Sequence, residues 1–214
     1  MRSEQTQIGR FINLEKSDWK KALDCLTDAF SEDPCFRYLL QSDIYEPEKA
    51  RFIHEYTLRY GCQNGNVFVT SKNLEGVSIW LPPKTNMHSS LMHVWQFIIN
   101  GGLKMDKKVN PGTIDTMRKY GTYSSHFHQK YAKGPHWYLM SIGVSKEYQG
   151  KGFSKKLILP MLDYFDKNKQ SCYLETHNDS NVAYYEKYAF KTMGIGLLPG
   201  TDTNHWAMLR EPQT

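Results

Sequence analysis

No apolar run in this chain of 214 residues approaches the ~20 residues that a membrane-spanning helix requires. Met1 to Phe11 is polar and lacks the apolar stretch that opens a secretory signal. Both absences exclude a membrane partner and lead us to expect a cytoplasmic protein. Cysteine is scarce as well. Cys25, Cys35, Cys62 and Cys172 form no CxxC pair and no Cys/His cluster with zinc spacing, so reduced thiols and no metal are expected. Internal repeats, low-complexity tracts and Pro/Gly/Ser linkers are missing too, and the chain reads as one domain over residues 1–214.

With 40% hydrophobic and 23% charged residues, the composition is that of a folded globular protein rather than a disordered one. The net charge of +5 could serve nucleic acid, anionic lipid or a polyanionic cofactor. Nucleic-acid binding calls for a basic stripe with interleaved aromatics. Here the densest basic group is instead Lys146, Lys151, Lys155 and Lys156, and no nucleic-acid partner is expected.

Apolar periodicity predicts a helix over 17–31, with Trp19, Ala22, Leu23, Leu26 and Phe30 on one face. A break at Ser31 to Pro34 and a short helical turn from Cys35 to Leu40 follow. A second helix is expected over 47–61, opened by Pro47 and closed by Gly61. Strands are predicted over 66–71 and 76–81, then helices over 89–99 and 112–130. The C-terminal third alternates: strand 137–144, helix 150–167, strand 171–176, helix 181–188, then strands 190–197 and 205–209. A strand–helix–strand unit of this length implies a parallel pair, so the fold class is α/β.

Gln149-Gly150-Lys151-Gly152-Phe153-Ser154 joins a predicted strand to a predicted helix. The first amides of a helix have no internal partner and carry the positive end of its dipole, which favours a phosphate. Glycine lets the backbone come close to such a ligand. The segment is neither a P-loop nor a three-glycine dinucleotide turn. Alone, it serves equally as a plain strand-to-helix turn beside a solvated lysine face.

His136 to Val144 leading into Ser145 to Gly152 resembles the strand-plus-turn signature of the GCN5-related N-acetyltransferase (GNAT) superfamily, Gln/Arg-x-x-Gly-x-Gly/Ala. Asn178, Asn181 and Tyr185-Glu186-Lys187-Tyr188-Ala189-Phe190 resemble its second signature. Ala29-Phe30 and Asp33-Pro34 are similar to the acceptor-side segment of its puromycin acetyltransferase-like subgroup. Ser154 and Ala189 depart from the pattern, and Ala189 would cost stability if its site needs a positive φ.

The resemblance implies a mixed sheet of about six to seven strands flanked by helices, with splayed central parallel strands. Residues 1–135 would form the acceptor side and residues 136–214 the acetyl-CoA-binding core. Acetyl-CoA is the implied cosubstrate and a small-molecule amine the implied acceptor; a homodimer is also raised. Main-chain groups of Ile142, Gly143 and Val144 would pair with the pantetheine arm, an N–H near Ile142 serving as oxyanion donor. The amides of Gln149, Gly150, Lys151, Gly152, Phe153 and Ser154 would hold the pyrophosphate, and Asn178 or Asn181 the pantetheine amides. Tyr185 aligns with the residue that protonates the departing thiolate, with Tyr184 the choice if the register slips by one.

The general base is open between Glu175, His177 and water. Glu175 is preferred, because a carboxylate in a partly apolar cleft can have its pKa raised. Glu32 and Asp33 either attract a cationic amine or cap a helix. The other readings are a peptide or protein N-acetyltransferase and a non-catalytic acyl-CoA sensor.

Overall fold

The computed structural model describes residues 11–83, 102–105 and 107–213. Its elements in chain order are β1 (Ile12–Asn13), α1 (Trp19–Ala29), α2 (Pro34–Leu40), α3 (Pro47–Asn64), β2 (Asn66–Val69), β3 (Gly76–Leu81) and α4 (Gly102–Met105). They continue with α5 (Thr113–Tyr131), β4 (His136–Val144), α6 (Phe153–Lys167), β5 (Ser171–Thr176), α7 (Asp179–Glu186), β6 (Lys191–Leu197) and β7 (Asn204–Arg210). The helix expected over 89–99 lies outside the described residues. β1 and α4 are too short to leave a periodic signal and were not anticipated.

The strands form one sheet in the order β1-β2-β3-β4-β5-β7-β6. β4 and β5 are parallel; every other neighbouring pair is antiparallel. This is the expected mixed α/β architecture with a central parallel pair. Period-two alternation sends neighbouring side chains to opposite faces. Val67, Val69, Val77 and Ile79 pack with Ala22, Leu23 and Leu26 of α1. Phe68, Trp80, Trp137 and Leu139 pack with Leu157, Ile158, Met161, Leu162 and Phe165 of α6.

Each large apolar side chain buried on α6 is worth roughly 1.5–3 kcal/mol over its exposed state. Together they clamp the start of that helix against the sheet. Phe165, fully buried, is the change that would loosen it most, at about 3–5 kcal/mol for Phe165→Ala.

α3 runs through Gly61 to Asn64 instead of closing at Gly61. A Cβ on Gly61 would lie 2.4 Å from Ile79 Cγ2, so this glycine serves close helix–strand packing rather than a helix stop. At the end of α7 the backbone needs a left-handed residue, and Ala189 supplies it with φ 63°. Phe190 N–H then donates back to the Tyr185 carbonyl at 3.3 Å, and the Phe190 ring enters the core 5.7 Å from the Tyr185 ring.

Candidate active site

The first part of the site is main chain. α6 begins at Phe153, with Gly152 as its N-cap at φ 81° and no side chain capping it. Gly150 is also left-handed, at φ 74°. A Cβ at either glycine would meet nothing within 4 Å. Packing therefore does not explain them; a backbone held open does. Among the described residues, the amides of Gly150, Gly152, Phe153 and Ser154 have no acceptor. Such a helix start presents the donors and the positive dipole end that suit an anion.

Around the turn, Lys151 Nζ sits 5.7 Å from the Tyr148 ring centroid and Lys156 Nζ 4.5 Å from that of Phe153. Lys146 instead pairs with Glu32 at 2.8 Å, and its amide donates to Asp28 at 2.6 Å. The Gln149 side chain donates to the Val144 carbonyl at 3.0 Å, tying the turn to the strand before it.

The second part is a gap in the sheet. β4 pairs with β5 from His136↔Ser171 to Leu139↔Leu174, and there the pairing ends. Beyond it β4 stays with β3, while Glu175 and Thr176 stay with β7. The parting coincides with a bulge: Ile79 faces Ser141 and Trp80 faces Leu139, leaving Met140 as the extra residue. A bulge bends its strand locally, and here it turns Ser141 to Val144 away from β5. The unpaired edge of β4 thus presents Ile142, Gly143 and Val144. A Cβ on Gly143 would come within 2.9 Å of Ala29 Cβ, so this glycine seats α1 against the strand.

The third part is a buried file of polar groups that begins under β5. Glu175 has a side chain only 2% exposed. Its carboxylate accepts from Ser124 at 2.5 Å and from the Tyr173 hydroxyl at 2.8 Å. Burial pushes this carboxyl up, but the nearby His205 and the two hydroxyls outweigh it and leave the pKa below its ordinary value. The raised pKa expected for Glu175 is therefore corrected: donors on every side stabilise the anion. His205 Nε2 lies 3.7 Å from Glu175 Oε1, and His205 Nδ1 lies 2.9 Å from His177 Nε2. Burial brings the His177 imidazole down to about 3, so it is held neutral.

His177 in turn comes together with Asp33 and Cys35, their polar atoms all within 4.8 Å of one another. Asp33 caps α2 by accepting from the Cys35 amide at 2.8 Å. Burial pushes its carboxyl up to about 6, against that amide and Arg37. Burial also pushes the Cys35 thiol well above its ordinary value, which disfavours a thiolate nucleophile.

Tyr185 is 7% exposed and makes no hydrogen bond through its hydroxyl to the described residues. Burial raises its phenol, as do the charges of Tyr184 and Asp33. Tyr184 packs beside it with ring centroids 5.4 Å apart.

Asn178 is the N-cap of α7, accepting from the Ser180 amide at 3.0 Å and the Ser180 hydroxyl at 2.7 Å. Asn181 donates to Thr176 at 3.3 Å. Capping takes the Asn178 carbonyl oxygen, leaving its NH2 group for a ligand. The structure thus gathers Ile142 to Val144 and Gln149 to Ser154 along one edge, and Glu175, His177 and Asp33 into one file. Sequence reasoning missed His205, Ser124 and Tyr173. A lone histidine on the last strand and a serine inside a helix carry no local pattern.

Residues 118–190 match the acetyltransferase (GNAT) family. An uncharacterized N-acetyltransferase of Schizosaccharomyces pombe is 28% identical over 224 residues, 94% of this chain and 83% of that protein. Among solved structures, one described as histone acetyltransferase HPA2 and related acetyltransferase from Corynebacterium glutamicum is 22% identical. It has a TM-score of 0.62 and covers 95% of this chain and 96% of its own. Arylalkylamine N-acetyltransferase 2 from Aedes aegypti is 11% identical, with TM-score 0.62 over 95% of this chain and 99% of its own. These two structural likenesses show the shared fold.

Proposed function

We propose, on the premise that this chain is an acyltransferase of the GNAT family, that it moves an acetyl group from acetyl-CoA to the primary amine of a small molecule. One observation carries the reading: the open amides of Gly150, Gly152, Phe153 and Ser154 follow directly on β4, whose edge toward β5 is unpaired beyond Leu139. The residues fit the cosubstrate. Left-handed glycines with empty space where a Cβ would stand suit a pyrophosphate, and a strand edge without a partner suits an amide-bearing arm by strand addition. Bound there, acetyl-CoA supplies an activated acyl group.

The chain's own residues supply the rest. Gly150 to Ser154 and the edge from Ile142 to Val144 hold and align, and alignment of two reactants is worth as much as roughly 7–11 kcal/mol of barrier. An N–H near Ile142 stabilises the oxyanion, a contribution of order 3 kcal/mol. Tyr185 gives its phenolic proton to the leaving sulfur; its raised pKa keeps that proton in place until a thiolate forms nearby. The acceptor's proton leaves on the opposite side of the site, toward the file that ends on Glu175.

A small amine is favoured because Asp33 is largely enclosed at the start of α2. Ala29-Phe30 and Asp33-Pro34 support a place in the puromycin acetyltransferase-like subgroup. Four free cysteines support a reducing cytoplasm, and no helix of the described residues is long and apolar enough to cross a membrane. A homodimer, if formed, has exposed Met193, Ile195 and Leu197 on edge strand β6 as a surface to bury, which light scattering would reveal.

The test is release of free CoA thiol from acetyl-CoA with a panel of small amines and with peptides. Amine-dependent release is expected, with small amines preferred. Release with peptides alone would move the acceptor to the peptide class. Binding of acetyl-CoA without release across the panel would make the protein a sensor.

A further inference from the structure

Asp33, Cys35 and His177 each offer a metal-ligand atom, and those atoms lie within 4.8 Å of one another. Spacing along the chain hides this trio, because two members open α2 and the third follows β5. Backbone holds each of them. Asp33 is the N-cap of α2, with one carboxylate oxygen accepting from the Cys35 amide at 2.8 Å; its other oxygen is uncommitted among the described residues. Pro34 and the helix start then fix Cys35. His177 stands between the last residue of β5 and Asn178, the N-cap of α7.

The chemistry of the set selects an ion. Thiolate and imidazole are poor ligands for magnesium and calcium and good ones for zinc, which also takes a carboxylate. Zinc bonds of about 2.0–2.3 Å at tetrahedral angles set ligand atoms about 3.3–3.6 Å apart. Small turns of the three side chains close the set from its present spacing. Charge agrees: Asp33 and a Cys35 thiolate supply two negative charges, Glu175 adds its field at the sulfur, and Arg37 is the cation that opposes them. Access agrees as well. Cys35 is 5% exposed and closes the inner side, while Asp33 and His177 are half-buried and leave a way in.

The outer groups that ordinarily hold zinc ligands are also in place. His177 Nε2 is engaged by His205 Nδ1 at 2.9 Å, which orients the ring and leaves Nδ1 for the ion. Glu175 stands behind His205. Tyr120 packs its ring 5.6 Å from that of His177 and offers its hydroxyl to the Cys35 sulfur.

We propose that Asp33, Cys35 and His177 form a zinc site with a fourth position open to water, which clasps the start of α2 to the end of β5. Cys35 belongs to the apolar cluster that α2 shares with Ala50 and Ile53 of α3. β5, through Cys172 and Leu174, belongs to the one beneath α6. An ion here ties the two clusters together. Binding sends the Cys35 thiol proton and any proton on His177 Nδ1 to solvent, and nothing is oxidised or reduced. Such a site stands whether or not the chain transfers acetyl groups.

The test is titration of the full chain, stripped with a chelator and kept reduced, with zinc and with cobalt. One zinc per chain should bind with a Kd below about 1 μM. Cobalt should show the sulfur-to-metal band in the near ultraviolet and the visible bands of tetrahedral coordination. Cys35→Ser should abolish the sulfur band. His177→Gln should weaken zinc about 100-fold or more, beyond what loss of an outer partner costs, and Asp33→Asn, which can still cap α2, should weaken it too. Zinc at 100 times its Kd should raise the wild-type unfolding midpoint by about 5 °C and leave that of His177→Gln where it is. Loose binding of several ions, a wild-type cobalt spectrum without the sulfur band, or tight binding that survives both Cys35→Ser and His177→Gln would overturn the site. The cobalt spectrum is read on wild type, so it decides even where a variant fails to fold.

Discussion

The turn at 149–154 and the file from Asp33 to Glu175 are both polar, yet they are built in opposite ways. The turn uses backbone alone, from six consecutive residues, and its conformation follows from two glycines and the start of a helix. The file uses side chains from the start of α2, the segment after β5, β7 and β5 itself, braced by Ser124 of α5. A backbone anion site tolerates change in its side chains. A side-chain file depends on each member's proton. Substitutions should therefore separate the two regions, one acting on cosubstrate affinity and the other on rate.

Tyr185→Phe should give the largest effect. It removes a hydroxyl that bonds to no described residue, so stability should change by no more than about 0.5 kcal/mol. Loss of the acid should lower kcat about 100-fold, with CoA affinity unchanged in calorimetry. Unchanged kcat would remove Tyr185 from the mechanism.

Gly152→Val should act on the turn alone. A branched residue at φ 81° costs about 1–2 kcal/mol of stability, and its Cβ enters the space left for the ligand. CoA affinity should fall about tenfold, or about 1.4 kcal/mol, measured by calorimetry.

Asp33→Asn should sharpen the contrast through stability. The folded carboxyl is raised from 3.8 to about 6, so the fold keeps a proton that the unfolded chain has already lost. The stability of the neutral form is full below pH 3.8 and is lost as pH rises toward 6. Allowing for partial exposure, Asn should stabilise the protein by about 1–2 kcal/mol above pH 6 and by little at pH 3, measured by denaturant titration.

The smallest effect tests the bend after α7. Ala189→Gly should stabilise by about 1 kcal/mol, since φ 63° costs an L-residue and not glycine. A loss of stability would mean that the Ala189 methyl packs well enough to offset its strain.

The same contrast explains what the sequence made legible. β3 and β5 begin and end where hydrophobic alternation predicts, and Gly150 and Gly152 mark the turn because local conformation needs them. The departure at Ala189 also read correctly, since a positive φ is a local property. Gly61 misled: a glycine in a helix can serve a stop or a close contact, and only the distance to Ile79 decides. The pKa of Glu175 misled for a related reason. Burial was readable from a strand position, but of its donors only Tyr173 shares that strand; Ser124 and His205 come from α5 and β7. Asp33 was visible as a cap and as an acceptor-side residue, but its meeting with His177 depends on how α2 packs beside the end of β5.

The central claim is that main-chain groups at two adjoining places, the edge of β4 and the start of α6, take the cosubstrate. Hydrogen–deuterium exchange of the full chain with and without CoA tests it most directly. Slower exchange confined to residues 141–144 and 150–154 is the predicted result. Unchanged exchange there under saturating CoA, or protection that falls elsewhere, would contradict it.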